Sequence, residues 1–245
     1  PFLNPARIVR MIGPGNDDPN ECTMSVRLQE VYQRLFDAFG PQHWWPGRTP
    51  FEVMVGAVLV QNTNWQNVRR AIENLREVDL LEPHALDEVP QDELEELIRP
   101  AGYYRVKAKR LRSLLDFFLA RYDGSIETMF RTDLPTLREE LLSVHGIGPE
   151  TADSILLYAG GLPSFVVDAY TYRVLTRHGW VGFDADYHEM QEYFESNLPD
   201  DPALFNEFHA LFVHLGKHYC RKTGPKCEAC PLRDLLPRGG PLEQE

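Results

Sequence analysis

Three cysteines, Cys220, Cys227 and Cys230, stand close together near the C-terminus, and a fourth, Cys22, lies far away near the N-terminus. Clustering of this kind in an intracellular chain points to a metal ion or cluster more than to disulfides. A second stretch, "VHGIGPET", sets two glycines around one apolar residue. Gly146 and Gly148 can both take positive φ, which turns the chain tightly and aims successive N–H groups outward. Pro149 can then open the next helix, where its missing N–H does no harm. Free N–H groups at a helix start favour an anion, most simply a phosphate. Val144 and Ile147 would anchor the turn. A helix–hairpin–helix of this form grips a nucleic-acid backbone without reading bases. An ordinary turn between two helices fits the same residues. A third stretch, "FVVDAYTYRVL", places Asp168 after an apolar run and at the head of a helix. It reads as a plain N-cap, or as a carboxylate that stabilises positive charge developing on a sugar or activates a water.

The elements that must position these groups read as helices. "MSVRLQEVYQRLFDAF" puts Val26, Leu28, Val31, Leu35, Phe36 and Phe39 on one broad face. "TPFEVMVGAVLVQ" opens with Thr49 as cap and Pro50 at the first helical position. "DELEELIR", "YYRVKAKRLRSLLDFFLARY", "LPTLREELLSV", "PETADSILLYAG", "DAYTYRVLTRHG" and "DPALFNEFHALFVHLGKHYC" follow, with Gly or Pro between them. No segment alternates with period two for long, and "SFVV" at 164–167 is at most a short buried connector. The fold class is all-α.

With 245 residues, 43% of them hydrophobic, the chain can bury a core in one mixed domain or two small ones. Its apolar runs fall short of the ~20 residues that span a bilayer. The expectation is a soluble cytoplasmic protein. Net charge is −12, which taken alone argues against nucleic acid. The distribution matters more. Residues 82–96 carry seven acids and no Lys or Arg, while 99–112 carry six bases and no acid. That basic block is either a local phosphate-binding patch or a solvated helix face.

Gly-Ile-Gly, an apolar helix and then Val-Asp resemble the helix–hairpin–helix base-excision DNA glycosylases of the endonuclease III superfamily. The resemblance runs from about residue 24 to 236. "GAVLVQNTNWQNV" looks like the family helix whose end carries a Gln that fills the gap left by a flipped base, here Gln61. "AGYYRVKAKRL" looks like the loop with the wedge residue pushed into the stack, here Tyr103, followed by a basic helix that includes Lys107. "HYCRKTGPKCEACPLRDLL" resembles the family's iron–sulfur loop. The resemblance implies two helical domains with a DNA cleft between them: 47–162 with the hairpin, and 22–46 joined to 163–245 with the iron–sulfur loop. Residues 1–21 read as a tail or extension. It also implies extrusion of a damaged nucleotide into a pocket, with Asp168 supporting cleavage of the N-glycosidic bond.

Two departures from the family pattern carry information. Bifunctional members place a Lys two residues after the second hairpin glycine, where it forms a Schiff base with the sugar and permits strand cleavage. Here Glu150 occupies that position, and a carboxylate forms no imine. It either complements the helix dipole or repels DNA. Trp44, Trp45, Pro46 and Trp65 resemble segments of the monofunctional 3-methyladenine glycosylase branch, where a cationic alkylated purine stacks on electron-rich rings; core packing is the other use of three Trp. The second departure is in the cysteines. Cys220, Cys227 and Cys230 match the first three ligands of the family's 4Fe–4S loop, but Leu236 stands where the fourth is expected. Cys22 is the expected substitute, with Asp234 and His218 as weaker candidates and zinc as a second metal option. Lys217, Arg221, Lys222 and Lys226 surround the loop.

These readings lead to a monomeric DNA N-glycosylase acting on damaged double-stranded DNA, alkylated bases among the candidates, without lyase activity, and nucleoid-associated if prokaryotic. A lesion-recognising DNA-binding protein with little catalysis is the alternative. A third reading is an all-α interaction module in which Gly-Ile-Gly is only a turn.

Overall fold

The computed structural model describes residues 19–45 and 47–244, with side chains from residue 27 onward. The described residues are helical, with no strand among them. The helices are α1 (Pro19–Phe39), α2 (Pro50–Leu59), α3 (Trp65–Glu77), α4 (Pro83–Glu88), α5 (Gln91–Leu97), α6 (Tyr104–Tyr122), α7 (Ile126–Met129), α8 (Leu134–Ser143), α9 (Pro149–Ser154), α10 (Ala169–Arg177), α11 (Tyr187–Glu195) and α12 (Pro202–His218). Among the described residues, no helix is long and apolar enough to cross a membrane.

The chain divides into two compact units. One is Trp45–Leu162; the other joins α1, up to Trp44, to the chain from Pro163 onward. The first is built around α2. Thr49 caps that helix by accepting from the Glu52 N–H at 3.1 Å, and Pro50 opens it. Its residues from Phe51 to Leu59 are all buried, as expected of a helix apolar on every side. Helices α3, α6 and α9 pack around it. Helix α3 presents Val68, Ala71, Ile72 and Leu75, the spacing of one helical face. Of these, Val68, Ile72 and Leu75 each stabilise by about 1.5–3 kcal/mol when fully buried. Acids enter this core with a partner: Glu52 is buried and takes a 2.8 Å ion pair from Arg76 of α3.

The second unit packs α12 against α10 and α1. Its centre is aromatic. Phe165 stacks on Phe194 with centroids 3.9 Å apart and planes 8° apart, and Phe205, Phe208 and Phe212 close around them. Phe165 belongs to the "SFVV" connector, which is buried from Ser164 to Val167 and carries no helix. That buried connector delivers the chain to Asp168 at the head of α10.

Helix α9 runs into a π-turn at Ile155–Ala159. Such turns are uncommon and gather at functional sites. Below it, Arg138 of α8 grips Asp153 with two bonds, Nε–Oδ1 at 2.7 Å and Nη2–Oδ2 at 3.1 Å.

Candidate active site

The hairpin between α8 and α9 has one left-handed glycine, not two. Gly146 sits at φ 85°, whereas Gly148 is extended at φ −99° and ψ 179° and forms the N-cap of α9. The expectation that both glycines use positive φ is corrected. At Gly146 the backbone itself needs glycine. At Gly148 a Cβ would meet nothing within 4 Å, so nothing within the chain demands glycine there. Val144 and Ile147 are buried and tie the turn to the core, with the Ile147 N–H on the Val144 carbonyl at 3.1 Å.

Gln61 lies in the turn after α2 and reaches this hairpin. Its Nε2 donates to the Gly146 carbonyl at 3.1 Å and to Thr151 Oγ1 at 2.9 Å. Arg110 of α6 donates from Nη1 to Gln61 Oε1. Four residues from four places in the sequence thus form one polar network. Glu150, in the first turn of α9, is exposed.

Tyr103 is 73% exposed and left-handed, at φ 47° and ψ 30°, directly before α6. A bulky residue in that conformation is a strained outlier of the kind that gathers at functional sites. Lys107, expected on a DNA-facing surface, is instead buried to 1% exposure. Its Nζ donates to the carbonyls of Leu59 at 2.9 Å and Ala101 at 2.8 Å. Burial, followed by the charge of Arg110, lowers its pKa to about 8. Lys107 falls on the same helix face as Leu111, Leu114 and Phe118, so the apolar periodicity of α6 already marks it as inward-facing. The rest of the basic block is neither a free patch nor a simple solvated face. Arg99 pairs with Glu96 at 3.0 Å, Arg105 with Glu95 at 3.7 Å, and Arg112 donates to the Leu86 and Asp87 carbonyls at 2.9 and 2.7 Å. Arg99, Arg105 and Arg112 thus each pair with an acid of the neighbouring run.

Trp44 and Trp45 have their recorded partners in different units. Trp45 meets Trp65 edge-on at 4.7 Å and stacks on Tyr158 at 5.0 Å. Trp44 lies 6.5 Å from the His209 ring, with Lys217 Nζ 5.6 Å from its own centroid. Pro46 lies outside the described residues.

Asp168 caps α10. Its Oδ1 accepts from the Tyr170 N–H at 2.9 Å, the Thr171 N–H at 2.8 Å and Thr171 Oγ1 at 3.0 Å. Its Oδ2 faces His209 Nε2 at 3.8 Å. His209, on α12, is 4% exposed. The sequence reading missed it, although it sits in register with Phe205, Phe208 and Phe212 on the core face of α12.

Cys220, Cys227 and Cys230 line one pocket with Arg177, His178 and Leu236. Burial pushes the Cys230 thiol up to about 11, with the neighbouring Cys220 and Cys227 adding to it, and burial raises Cys227 as well. Helix α10 holds this loop by its arginines: Arg173 Nε donates to the Cys220 carbonyl at 2.6 Å, and Arg177 Nη1 to the Arg221 carbonyl at 2.8 Å. Arg177 Nη1 also lies 3.6 Å from Cys220 Sγ. Among the described residues, no three His, Cys, Asp or Glu side chains form a group able to hold a metal ion. The side chain of Cys22 lies outside the described residues.

A family model of HhH-GPD superfamily base excision DNA repair proteins matches residues 55–200, which takes in the hairpin, Asp168 and the helices that frame them. The chain belongs to this superfamily. It is a base-excision-repair DNA glycosylase of the endonuclease III type. A Methanocaldococcus jannaschii protein provisionally named a DNA repair glycosylase is 50% identical over 85% of this chain and 94% of its own. Among solved structures, a trapped endonuclease III–DNA covalent intermediate superposes with a TM-score of 0.75 at 27% identity, covering 86% of this chain and 94% of that one. An H. pylori 3-methyladenine DNA glycosylase bound to 1,N6-ethenoadenine gives a TM-score of 0.68 at 31% identity, over 79% and 97%. The HhH-GPD hairpin of this chain carries Gly146-Ile147-Gly148 and then Glu150.

Proposed function

We propose that this glycosylase binds damaged double-stranded DNA and releases a modified base, alkylated purines foremost, without cutting the strand. The observation that carries the reading is Glu150, exposed in the first turn of α9 two residues beyond Gly148. A lyase of this type needs an amine there to attack the sugar. A carboxylate supplies none, so the reaction ends at the abasic site.

Asp168 is the catalytic residue of this proposal. As the base departs, positive charge grows on the deoxyribose, and a nearby carboxylate stabilises it or orders the water that completes hydrolysis. The open space at Gly148 lets a phosphate approach the backbone closely. Tyr103, strained and exposed, enters the stack as the wedge, and Gln61 exchanges its hairpin partners for the gap left by the flipped nucleotide. Trp45 and Trp65 offer aromatic surface to an electron-poor purine.

Cys220, Cys227 and Cys230 line one pocket beside Arg177 and would supply soft donors, as thiolates once a metal displaces their protons, to a 4Fe–4S cluster, for which the three side chains would have to draw closer together. Leu236 at the fourth spacing is apolar, so the fourth ligand comes from elsewhere, with Cys22 the candidate carried by the sequence. Held by these cysteines, such a cluster would contribute metal–thiolate bonds bracing the loop that bears Arg221, Lys222 and Lys226.

The test is an Asp168→Asn variant assayed beside wild type on duplexes carrying 3-methyladenine, 1,N6-ethenoadenine or thymine glycol. Wild type releases at least one of these bases; the variant binds the same duplex and releases none. Lesion-selective binding without turnover by wild type would favour a recognition protein instead.

A further inference from the structure

Asp168 uses its two oxygens unequally. Oδ1 is saturated by three donors of its own helix. Oδ2 makes no bond within α10, and its recorded neighbour is His209 Nε2, 3.8 Å away. The orientation of His209 is fixed from its other side. Nδ1 lies 2.8 Å from the Val166 carbonyl. A carbonyl only accepts, so Nδ1 must carry a proton. Nε2 is therefore the nitrogen presented to the carboxylate.

This arrangement has a consequence for protons. With Nδ1 protonated, a neutral ring would aim a lone pair at the carboxylate lone pairs, and the two would repel. A donor on Nε2 would instead face Oδ2 favourably, 3.8 Å away, at ion-pair distance and beyond a direct hydrogen bond. The ring is nearly fully buried on α12 near Trp44, so water does little to screen it from the carboxylate. One imidazole thus bonds the main chain of the connector that delivers Asp168, at the Val166 carbonyl, with one nitrogen and faces Asp168 Oδ2 with the other.

We propose that His209 is a positioning residue for base excision, fastening the connector through Nδ1 and facing Oδ2 through Nε2 so that Asp168 is held toward the sugar. The proposal rests on the role of Asp168 given above. The Nε2 side of the ring acts through Asp168, while the Nδ1 side fastens the connector. Two isosteres separate these duties. Asparagine places an amide where Nδ1 stands and keeps a donor for Val166. Glutamine places an amide where Nε2 stands and keeps a donor for Oδ2.

The experiment compares His209→Asn, His209→Gln and Asp168→Asn in single-turnover release from the lesion duplex that wild type processes fastest. Affinity for a tetrahydrofuran abasic-analogue duplex and melting temperature are read in parallel. His209→Gln should stay within about tenfold of wild type. His209→Asn should lose about 10²-fold in rate, the scale on which misplaced catalytic groups act, with unchanged affinity and a melting temperature near wild type. The reverse order, Asn active and Gln impaired, would show that only the Val166 bond matters and would overturn the proposal. Equal activity in both variants overturns it too, as does an equal loss that tracks falling melting temperature. If wild type releases nothing, or Asp168→Asn works as well as wild type, the role of Asp168 itself fails and this proposal with it.

Discussion

Gln61 donates through Nε2 to the Gly146 carbonyl at 3.1 Å, joining the turn after α2 to the one left-handed glycine of the hairpin. The same amide bonds Thr151, and Arg110 bonds its oxygen. To enter DNA, Gln61 must release these partners. Gln61→Ala removes both the hairpin tie and the group proposed to fill the vacated stack. The expected outcome is a stability loss of about 1–2 kcal/mol in urea unfolding and release slowed about tenfold or more. Unchanged release would remove Gln61 from the DNA-facing set.

Tyr103 joins strain to exposure. Its left-handed conformation costs about 1–2 kcal/mol that glycine does not incur. Tyr103→Gly should therefore melt at or above the wild-type temperature while binding lesion duplexes more weakly. A variant that lost stability and kept binding would assign Tyr103 to the fold instead.

Lys107 gives a pH-dependent prediction. Its folded pKa of about 8 lies below the ordinary 10.5. Between these values the unfolded chain binds more protons than the folded one, so stability from this group rises with pH across that window. Below pH 8 both states are protonated and the cost of burying the charge is felt in full. The neutral amine still has two N–H groups for the two carbonyls it serves. Lys107→Met leaves the Leu59 and Ala101 carbonyls without that donor, at about 2–4 kcal/mol. The melting-temperature gap between wild type and variant should widen from pH 8 to 10. A gap that narrows would contradict the assignment.

The ion pair of Arg138 with Asp153 is a stability element of the hairpin. Asp153 is fully buried. Arg138→Met strands that charge at a cost of about 3–5 kcal/mol, and adding Asp153→Asn should recover part of the loss. Chemical unfolding of the two variants decides it.

How much of this was readable beforehand depended on where the information lay. The caps were legible because they are local: Thr49 with Pro50, and Asp168 before its helix, announce themselves in a few residues. The all-α class followed from periodicity. The pattern reading names no helix at α3, α4, α7 or α11, although Val68, Ala71, Ile72 and Leu75 keep helical spacing and Asp186 with Glu189 forms a capping box. Lys107 and His209 were misplaced or missed because residue type was weighed above position; both stand on the apolar face of their helix. The pairing of Arg99, Arg105 and Arg112 with the acidic run was not legible, since it depends on how α4, α5 and α6 pack. Nor was the different backbone of Gly146 and Gly148, which the sequence presents as equivalent.

The central claim is excision without strand cleavage, and one gel measures it. A lesion duplex is incubated with the wild-type protein, and each sample is split into an untreated half and a half heated in alkali. Product strand should appear only after alkali, since Glu150 offers no amine to the sugar. Product strand in the untreated half, with the enzyme captured on DNA by borohydride, would contradict it.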